Sequence, residues 1–204
     1  PPSPGEPSTQ PLSGGAGQFP TVGRAALFQS IRAQGYKTAI GDDIDKALNS
    51  LDKSLGELGA FTGNNSVSDV AIYVGFSMSG GTGCGIFLDV LQTLMYEVHR
   101  KLLKTNVTVL PVVMLPSTFD GLLPPDNERR AKLNAARALL DLTELVEHMQ
   151  APNPDPAKKI EFSIKYPDTS LGNSGAVSID FLDNPPIIPV ITLVSKPSVM
   201  DRSD

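Results

Sequence analysis

Residues 75–85 read GFSMSGGTGCG and carry the residue types of this chain that are best suited to bind or transform a ligand. Glycines let a backbone turn sharply and approach a ligand closely, and the first free N–H groups of a following helix attract anions. The hydroxyls of Ser77, Ser79 and Thr82 can donate to phosphate oxygens or contact a bound cation. This central loop therefore predicts a phosphate site, while a tight reversal between a strand and a helix would explain the glycines equally well.

A serine hydrolase is the rival interpretation of the central loop, because residues 75–78 resemble a nucleophile elbow on a strand-to-helix turn. Ser77 would then be the nucleophile. The elbow needs a glycine two residues later, where this chain has Ser79, and Asp120 and His148 would have to complete the triad. Because His148 lies on a leucine-rich helix face, the phosphate interpretation is favoured.

Other catalytic patterns are less well matched. The spacing G-x-G-x-x-G of dinucleotide-binding folds is not present in the central loop, nor is the lysine of a Walker loop. A helix N-terminus would lower the thiol pKa of Cys84, but a small residue that fills a tight turn explains this cysteine as well. His99 and His148 have charged neighbours and are expected on solvated helix surfaces. The acidic residues within 42–45 need only the macrodipole of a helix as their explanation.

The elements around the central loop form a crossover of strand, helix and strand. Apolar residues 70–74 precede the loop, an amphipathic helix is predicted over residues 86–104, and a second apolar run spans residues 107–115. Both runs are rich in valine and do not alternate, which predicts parallel strands with helices on both faces. Ligands bind at the carboxyl ends of such strands, where the central loop and residues 115–127 would meet.

The rest of the chain predicts further elements of a layered α/β domain with a mostly parallel sheet. Helices are expected over residues 21–34, ending at Gly35, over 43–58 behind a cap at Asp42, and over 129–149 behind Asp126 or Asn127, whereas 59–69 are expected to form a loop. The last helix would bury Leu133, Ala136, Leu140, Leu142 and Leu145. Strands are predicted over residues 160–165, 176–182 and 187–194.

Composition places the chain among ordinary globular proteins. Its 204 residues suit one sizeable domain, with 40% hydrophobic and 19% charged residues, and a formal charge of -5 gives no electrostatic case for nucleic acid or an anionic membrane. One cysteine excludes an internal disulfide framework and favours a reducing cytoplasm. No apolar stretch approaches about 18 residues, the length that a membrane span requires.

The N-terminal segment differs in composition from the rest. Residues 1–13 contain five prolines, so they cannot repay the entropy of folding and are expected to be a linker or mobile loop before a domain over residues 14–204. The sequence starts at Pro1 with neither a methionine nor a signal peptide, which indicates a part excised from a longer chain.

Three separated segments together resemble the tubulin and FtsZ superfamily of self-assembling GTPases. SGGTGCG, residues 79–85, resembles the signature loop G-G-G-T-G-[ST]-G, with Ser79 in place of the first glycine and Cys84 in place of a hydroxyl residue. GAGQFPTVGRAA, residues 15–26, resembles the FtsZ loop G-A-G-x-x-P-x-x-G-R-x-A. PSTFDGLLPPDNERR, residues 116–130, resembles the later loop P-F-x-F-E-G-x-x-R. The sequence of the GAGQF segment looks closest to the large bacterial tubulin-like-domain proteins.

The resemblance implies a GTP or GDP site with a Mg²⁺ ion held chiefly by phosphates and water. The residues implied to bind the phosphates are Gly15, Ala16, Gly17, Gln18, Ser79, Gly80, Gly81, Thr82, Gly83, Cys84 and Gly85. By the same resemblance, Asp120 would hold the ribose and Arg129 or Arg130 would approach the nucleotide. Head-to-tail self-association into filaments, with hydrolysis completed between subunits, is implied as well. A scaffold that keeps the fold without turnover is the alternative.

Parts of the family pattern have no counterpart in this sequence. The first strand and first glycine loop, the helix that reads guanine, and the later acids that orient the attacking water are not found, so residues 14–204 are expected to be a partial GTPase domain without its C-terminal half. Hydrolysis needs an in-line water and stabilisation of charge on the transferring phosphoryl group. The catalytic residues therefore remain unknown, and this chain alone is expected to bind nucleotide weakly and to hydrolyse it hardly at all.

Overall fold

The structure is a computed structural model that describes residues 15–63, 69–102, 105–150, 163–168, 171–172, 175–179, 186 and 188–196. The helices are α1 (Pro20–Gln34), α2 (Asp42–Thr62), α3 (Gly81–Lys101) and α4 (Pro125–Gln150). The strands are β1 (Asp69–Ser77), β2 (Asn106–Met114), β3 (Ile164–Pro167), β4 (Ala176–Ile179) and β5 (Thr192–Val194). The predicted linker over residues 1–13 lies outside the described residues, and the division at residue 14 stays a prediction.

The crossover formed by β1, α3 and β2 is confirmed. β1 and β2 pair in parallel from Asp69 opposite Asn106 to Ser77 opposite Met114. β5 continues the parallel pairing on the other side of β2, which gives the strand order β1-β2-β5. A layered α/β fold with a parallel sheet flanked by helices is therefore confirmed. β3 and β4 differ from the expectation, because they pair with each other as an antiparallel ribbon separate from this sheet.

The main core lies between the sheet and two helices. Val109 and Val113 of β2 are fully buried against Leu91 of α3 and Leu142 of α4. Successive residues of a strand point to opposite faces, and the other face of β1 carries Tyr73 with 71% of its surface exposed. Within the described residues, α3 and α4 thus cover the same face of the sheet.

The boundaries of α2 and α3 differ from the sequence prediction. α3 begins at Gly81 rather than near residue 86, so the second half of the central loop is helical. α2 begins without the expected cap, because a π-helical turn over Lys37–Gly41 runs directly into it and Asp42 already has helical backbone angles. This helix continues to Thr62, so the first part of the predicted loop over 59–69 is helical as well.

The buried face of α4 was only partly predicted. Leu142 and Leu145 are buried as expected, but Leu133 and Leu140 are 63% and 66% exposed. The helix instead packs Ala131, Ala135 and Ala138 inward, whereas Ala136, which was predicted to be buried, is exposed. Periodicity alone favours the larger side chains, whereas small side chains let two helices approach closely. The helix also starts at Pro125, so Asp126 and Asn127 lie in its first turn rather than before it.

Candidate functional site

Three loops meet at one edge of the sheet around a cavity of about 300 Å³. β1 ends at Ser77 and β2 at Met114, and the Met78 N–H donates to the Met114 carbonyl at 3.1 Å, so both strands deliver their following segments to the same edge. The cavity is lined by residues 15–18, by Ser77 and residues 79–83, and by Phe119 and Leu123. The structure thus brings together the glycine turn near residue 15, the central loop and the segment after β2.

The first turn of α3 supplies backbone donors to this cavity. Its N-cap is Gly80, which offers no side-chain hydrogen bond. The Gly81 N–H donates to the Gly17 carbonyl at 2.6 Å, and the Cys84 N–H donates to the Gly80 carbonyl at 3.1 Å. The N–H groups of Thr82 and Gly83 have no intrahelical partner, as at any helix start, and no acceptor among the described residues pairs with them. Both residues line the cavity, so two donors are available to an anion.

Ser79 adds a third polar group without a partner. The residue is only 5% exposed and lines the cavity. Its N–H donates to the Ser77 hydroxyl at 3.2 Å, but its own Oγ has no hydrogen-bond partner. Buried hydroxyls are almost always paired in folded proteins. The position therefore fits a ligand oxygen that accepts the Ser79 proton.

The loop over residues 15–19 is fastened to the start of α3. The Ala16 N–H donates to Thr82 Oγ1 at 3.2 Å, and the Phe19 N–H closes a turn on the Ala16 carbonyl at 3.1 Å. Gly15 and Gly17 have φ angles of 83° and 55°, in the left-handed region that favours glycine. The Thr82 hydroxyl thus holds the 15–19 loop beside the first turn of α3. Thr82 and residues 15–18 of the loop therefore line neighbouring sides of the same cavity.

Packing explains several glycines of the central loop without any ligand. A Cβ on Gly81 would lie 2.6 Å from the backbone nitrogen of Phe19. A Cβ on Gly83 would overlap the Ser77 carbonyl oxygen, and one on Gly85 would overlap the carbonyl of Pro20. These three glycines lie in the first turns of α3, so they serve close backbone packing rather than the tight reversal that was the alternative. The unpaired donors, rather than the glycine pattern, consequently indicate an anion site.

Cys84 lies at the end of the first turn of α3 and Gly85 at the start of the second, and neither residue lines the cavity. The Cys84 Sγ donates to the Met78 carbonyl at 2.8 Å. Burial raises the pKa of this thiol to about 11. Of the two interpretations of Cys84, a small residue in a tightly packed position therefore fits better than a thiol of lowered pKa, because loss of water around the sulfur outweighs the favourable end of the helix. Neither the Sγ nor the N–H of Cys84 is placed to bind a phosphate.

The third loop contributes apolar walls rather than charges. Asp120 follows the lining residue Phe119, and its Oδ1 lies 3.9 Å from Lys132 Nζ. The guanidinium of Arg130 stacks over the Phe19 ring at 5.2 Å and so contacts the 15–19 loop, while Arg129 is exposed on α4. No charged side chain is among the described residues that line the cavity.

Ser77 is the last residue of β1 and does not stand on a turn after the strand. Its Oγ accepts the Ser79 N–H. Neither histidine is among the described residues that line this cavity. His99 is exposed as predicted, whereas His148 is half-buried near the end of α4. The geometry of a nucleophile elbow is thus not formed at Ser77.

Sequence reasoning missed a buried carboxylate two turns into α3. Asp89 is 1% exposed, its Oδ2 lies 3.2 Å from Arg24 Nε, and its Oδ1 accepts the Tyr166 hydroxyl at 2.9 Å. Burial raises the pKa of Asp89, and the neighbouring Arg24 and Tyr166 oppose that shift. The available signal was an acidic residue within the apolar stretch IFLDVL, on a helix predicted to be amphipathic.

Comparison with known families agrees with this architecture. Residues 1–200 match the model of a family described as tubulin-like. The chain therefore belongs to the tubulin-like family. No curated protein and no solved structure gives a significant match to it. In the part of the chain that the structure describes, no helix is long and apolar enough to cross a membrane.

Proposed function

We propose that the protein binds a guanine nucleotide through its phosphates, in the cavity between residues 15–18 and the start of α3. The observation that carries the proposal is the group of unpaired donors there, namely the N–H groups of Thr82 and Gly83 and the buried Oγ of Ser79. Membership of the tubulin-like family supports the choice of a nucleotide over another anion. The guanine preference rests on the family resemblance alone.

An anion in this cavity would be held by the backbone rather than by cationic side chains. The N-terminus of a helix carries about half a positive charge, and hydrogen bonds to a charged group contribute about 1.5–3 kcal/mol each. The residues that carry two free amides and one buried hydroxyl line a cavity of about 300 Å³, which suits the phosphates and part of the ribose. Asp120, beside Phe119, is the candidate for the ribose hydroxyls, and Arg130 lies near enough to the 15–19 loop to approach the nucleotide.

A magnesium ion fits the site only as a companion of the phosphates. Thr82 Oγ1 already accepts the Ala16 N–H, and no carboxylate is among the described lining residues. Mg²⁺ keeps several waters and commonly binds through substrate phosphates. The protein would therefore supply at most a hydroxyl, and the ion would neutralise phosphate charge.

We also propose head-to-tail self-association in the cytoplasm, with hydrolysis completed where one subunit meets the next. Family membership supports this assignment. A non-hydrolysing tubulin-like scaffold is the second candidate, because no base lines the cavity in the part of the chain described here and in-line attack needs an oriented water.

The test uses binding of a fluorescent GDP analogue with Mg²⁺, competition by GTP and ATP, and GTP turnover measured against protein concentration. The proposal expects binding that GTP competes for better than ATP, with specific activity that rises with concentration. Binding without turnover at any concentration would favour the scaffold. Absence of binding by GTP, GDP and the analogue would refute the nucleotide assignment.

A further inference from the structure

Asp89 joins the two elements whose starts build the cavity. It lies on α3, two turns after the free amides of Thr82 and Gly83. Its partner Arg24 lies in the second turn of α1, the helix that follows the 15–19 loop without interruption. The third partner is Tyr166 on β3. One buried carboxylate thus ties α1, α3 and the β3–β4 ribbon together.

We propose that Asp89 is a positioning residue that holds the 15–19 loop in register with the amides of α3, and so sets the affinity for nucleotide phosphates. The inference rests on the proposed function. Two contacts of Arg24 to the carboxylate, at 3.2 and 3.5 Å, fix the guanidinium in two directions. The same guanidinium lies 5.5 Å above the Phe28 ring, so its position is determined on both sides.

The contact between α1 and α3 transmits this constraint to the cavity. A Cβ on Gly23 would overlap the Gly81 carbonyl, and one on Gly85 would overlap the Pro20 carbonyl, so the two backbones touch directly. Closely packed elements shift as units because packing leaves little slack. If the ion pair is lost, a rotation of α1 on α3 moves the 15–19 loop away from the amides that face it.

Glu97 provides a matched control on the same helix. It is 4% exposed, accepts the Tyr36 hydroxyl at 3.0 Å and lies 3.5 Å from an Arg100 nitrogen. Like Asp89, Glu97 is therefore a buried acidic residue that contacts one tyrosine and one arginine. Arg100 belongs to α3 itself, however, so this pair does not connect the start of α1 to α3.

The experiment compares Asp89→Asn with Glu97→Gln. Each change replaces one buried carboxyl group by an amide of similar shape. Affinity for the fluorescent GDP analogue is expected to fall about tenfold or more in Asp89→Asn, in the range of a coupling between linked sites, and to change less than about threefold in Glu97→Gln, where that coupling does not exist. Urea unfolding of both variants measures the general cost of losing a buried carboxylate. Equal losses of affinity in the two variants would overturn the proposal.

Amide hydrogen exchange separates this inference from the proposed function. Asp89→Asn is expected to speed exchange of the hydrogen-bonded amides of Ala16, Phe19 and Gly81, whereas Glu97→Gln leaves these amides protected as in the parent protein. This readout needs no nucleotide, so it remains decisive if the protein binds none. Should Asp89→Asn fail to fold, Arg24→Gln removes the other partner at a half-exposed side chain, and unchanged exchange in that variant would equally refute the proposal.

Discussion

The two ends of α3 open onto two cavities that are built in opposite ways. The N-terminal end faces the cavity of about 300 Å³, which is lined by backbone amides and hydroxyls. The C-terminal end borders a cavity of about 480 Å³. Its lining includes charged side chains of both signs, namely Lys37, Asp45, Glu97, Arg100, Lys101 and Asp168. The larger and more highly charged cavity would be the obvious candidate by size and composition.

Hydrogen bonding reverses that ranking. At the C-terminal end, Lys101 Nζ lies 2.9 Å from the Asp45 carboxylate, and Glu97 is held by Tyr36 and Arg100. These charges largely satisfy one another. At the N-terminal end, amides and a buried hydroxyl have no partner among the described residues. Unsatisfied donors, not charge or volume, therefore mark the end that fits a ligand.

The helix macrodipole makes the same distinction. Basic residues occupy the last turn of α3, namely His99, Arg100 and Lys101, and they offset the negative end of the helix. The first turn contains no acidic residue, so the positive end is left without a compensating side chain. An anion bound at Thr82 and Gly83 would supply that missing charge.

The largest effect is expected from Gly83→Ala. The new Cβ would overlap the Ser77 carbonyl, so either β1 or the first turn of α3 must move. We expect loss of measurable nucleotide binding and a decrease of about 3 kcal/mol in the free energy of unfolding, the upper part of the range for overpacking.

Gly56→Ala is the matched control for that change. Gly56 lies within α2 and a Cβ there would meet nothing within 4 Å. Glycine is less favourable than alanine in a helix, so this variant should have a free energy of unfolding about 0.5–1 kcal/mol higher than the parent protein. Its affinity for nucleotide should be unchanged. Gly83→Ala with normal binding and stability would show that the start of α3 is not held as described.

Local patterns predicted the crossover but not where α3 starts. The apolar runs and the amphipathic repeat of α3 are local signals, and β1, α3 and β2 follow from them. Glycine is among the weakest helix formers, so the stretch from Gly81 to Gly85 indicated a turn. Tertiary packing decides the outcome, because the backbone at Phe19 and Pro20 lies where side chains would project.

Contacts between distant segments were beyond sequence reasoning. Asp89 resembles an ordinary surface acid until Tyr166, 77 residues further along the chain, donates to it. The buried face of α4 depended likewise on which helix it meets, since leucine and alanine stripes both repeat with helical period. Phe119 and Leu123, which line the cavity, lie in a segment that was expected at this edge. Topology placed these loops correctly, whereas individual partners required coordinates.

Cys84 tests how far the positive end of α3 extends. Its pKa is raised from 9.0 to about 11, so at pH 8 the thiolate fraction is about a hundredfold below that of an ordinary thiol. Alkylation by iodoacetamide in the folded protein should therefore be about a hundredfold slower than in urea. Comparable rates in the two conditions would mean that the helix end stabilises the thiolate after all.

The raised pKa of Cys84 also predicts a pH dependence of stability. Below pH 9 both states keep the proton; between pH 9 and about 11 the unfolded state loses it first, so the free energy of unfolding falls as pH rises. The pKa values of Tyr36 and Tyr166 are raised by burial too, and they act in the same direction above pH 10. Cys84→Ala should remove the decrease in the free energy of unfolding that begins near pH 9. Denaturation curves of the parent protein and of this variant at pH 8, 9.5 and 10.5 would measure the difference.

The smallest effect is expected from Ser79→Ala. The changes in the free energy of unfolding and in nucleotide affinity together distinguish a hydroxyl that binds a ligand from one that stabilises the fold. The Oγ has no partner in the folded chain, so its removal should leave the free energy of unfolding unchanged or raise it by up to about 1 kcal/mol. Nucleotide affinity should nevertheless fall about tenfold, because a hydrogen bond to a charged phosphate is lost. Ser54→Ala removes an exposed hydroxyl that bonds to the Ser50 carbonyl on α2 and should leave affinity unchanged. A hydroxyl that served the fold would give the reverse pattern, with lower stability and unchanged affinity. Ser79 would then no longer favour the N-terminal cavity over the C-terminal cavity as the ligand site.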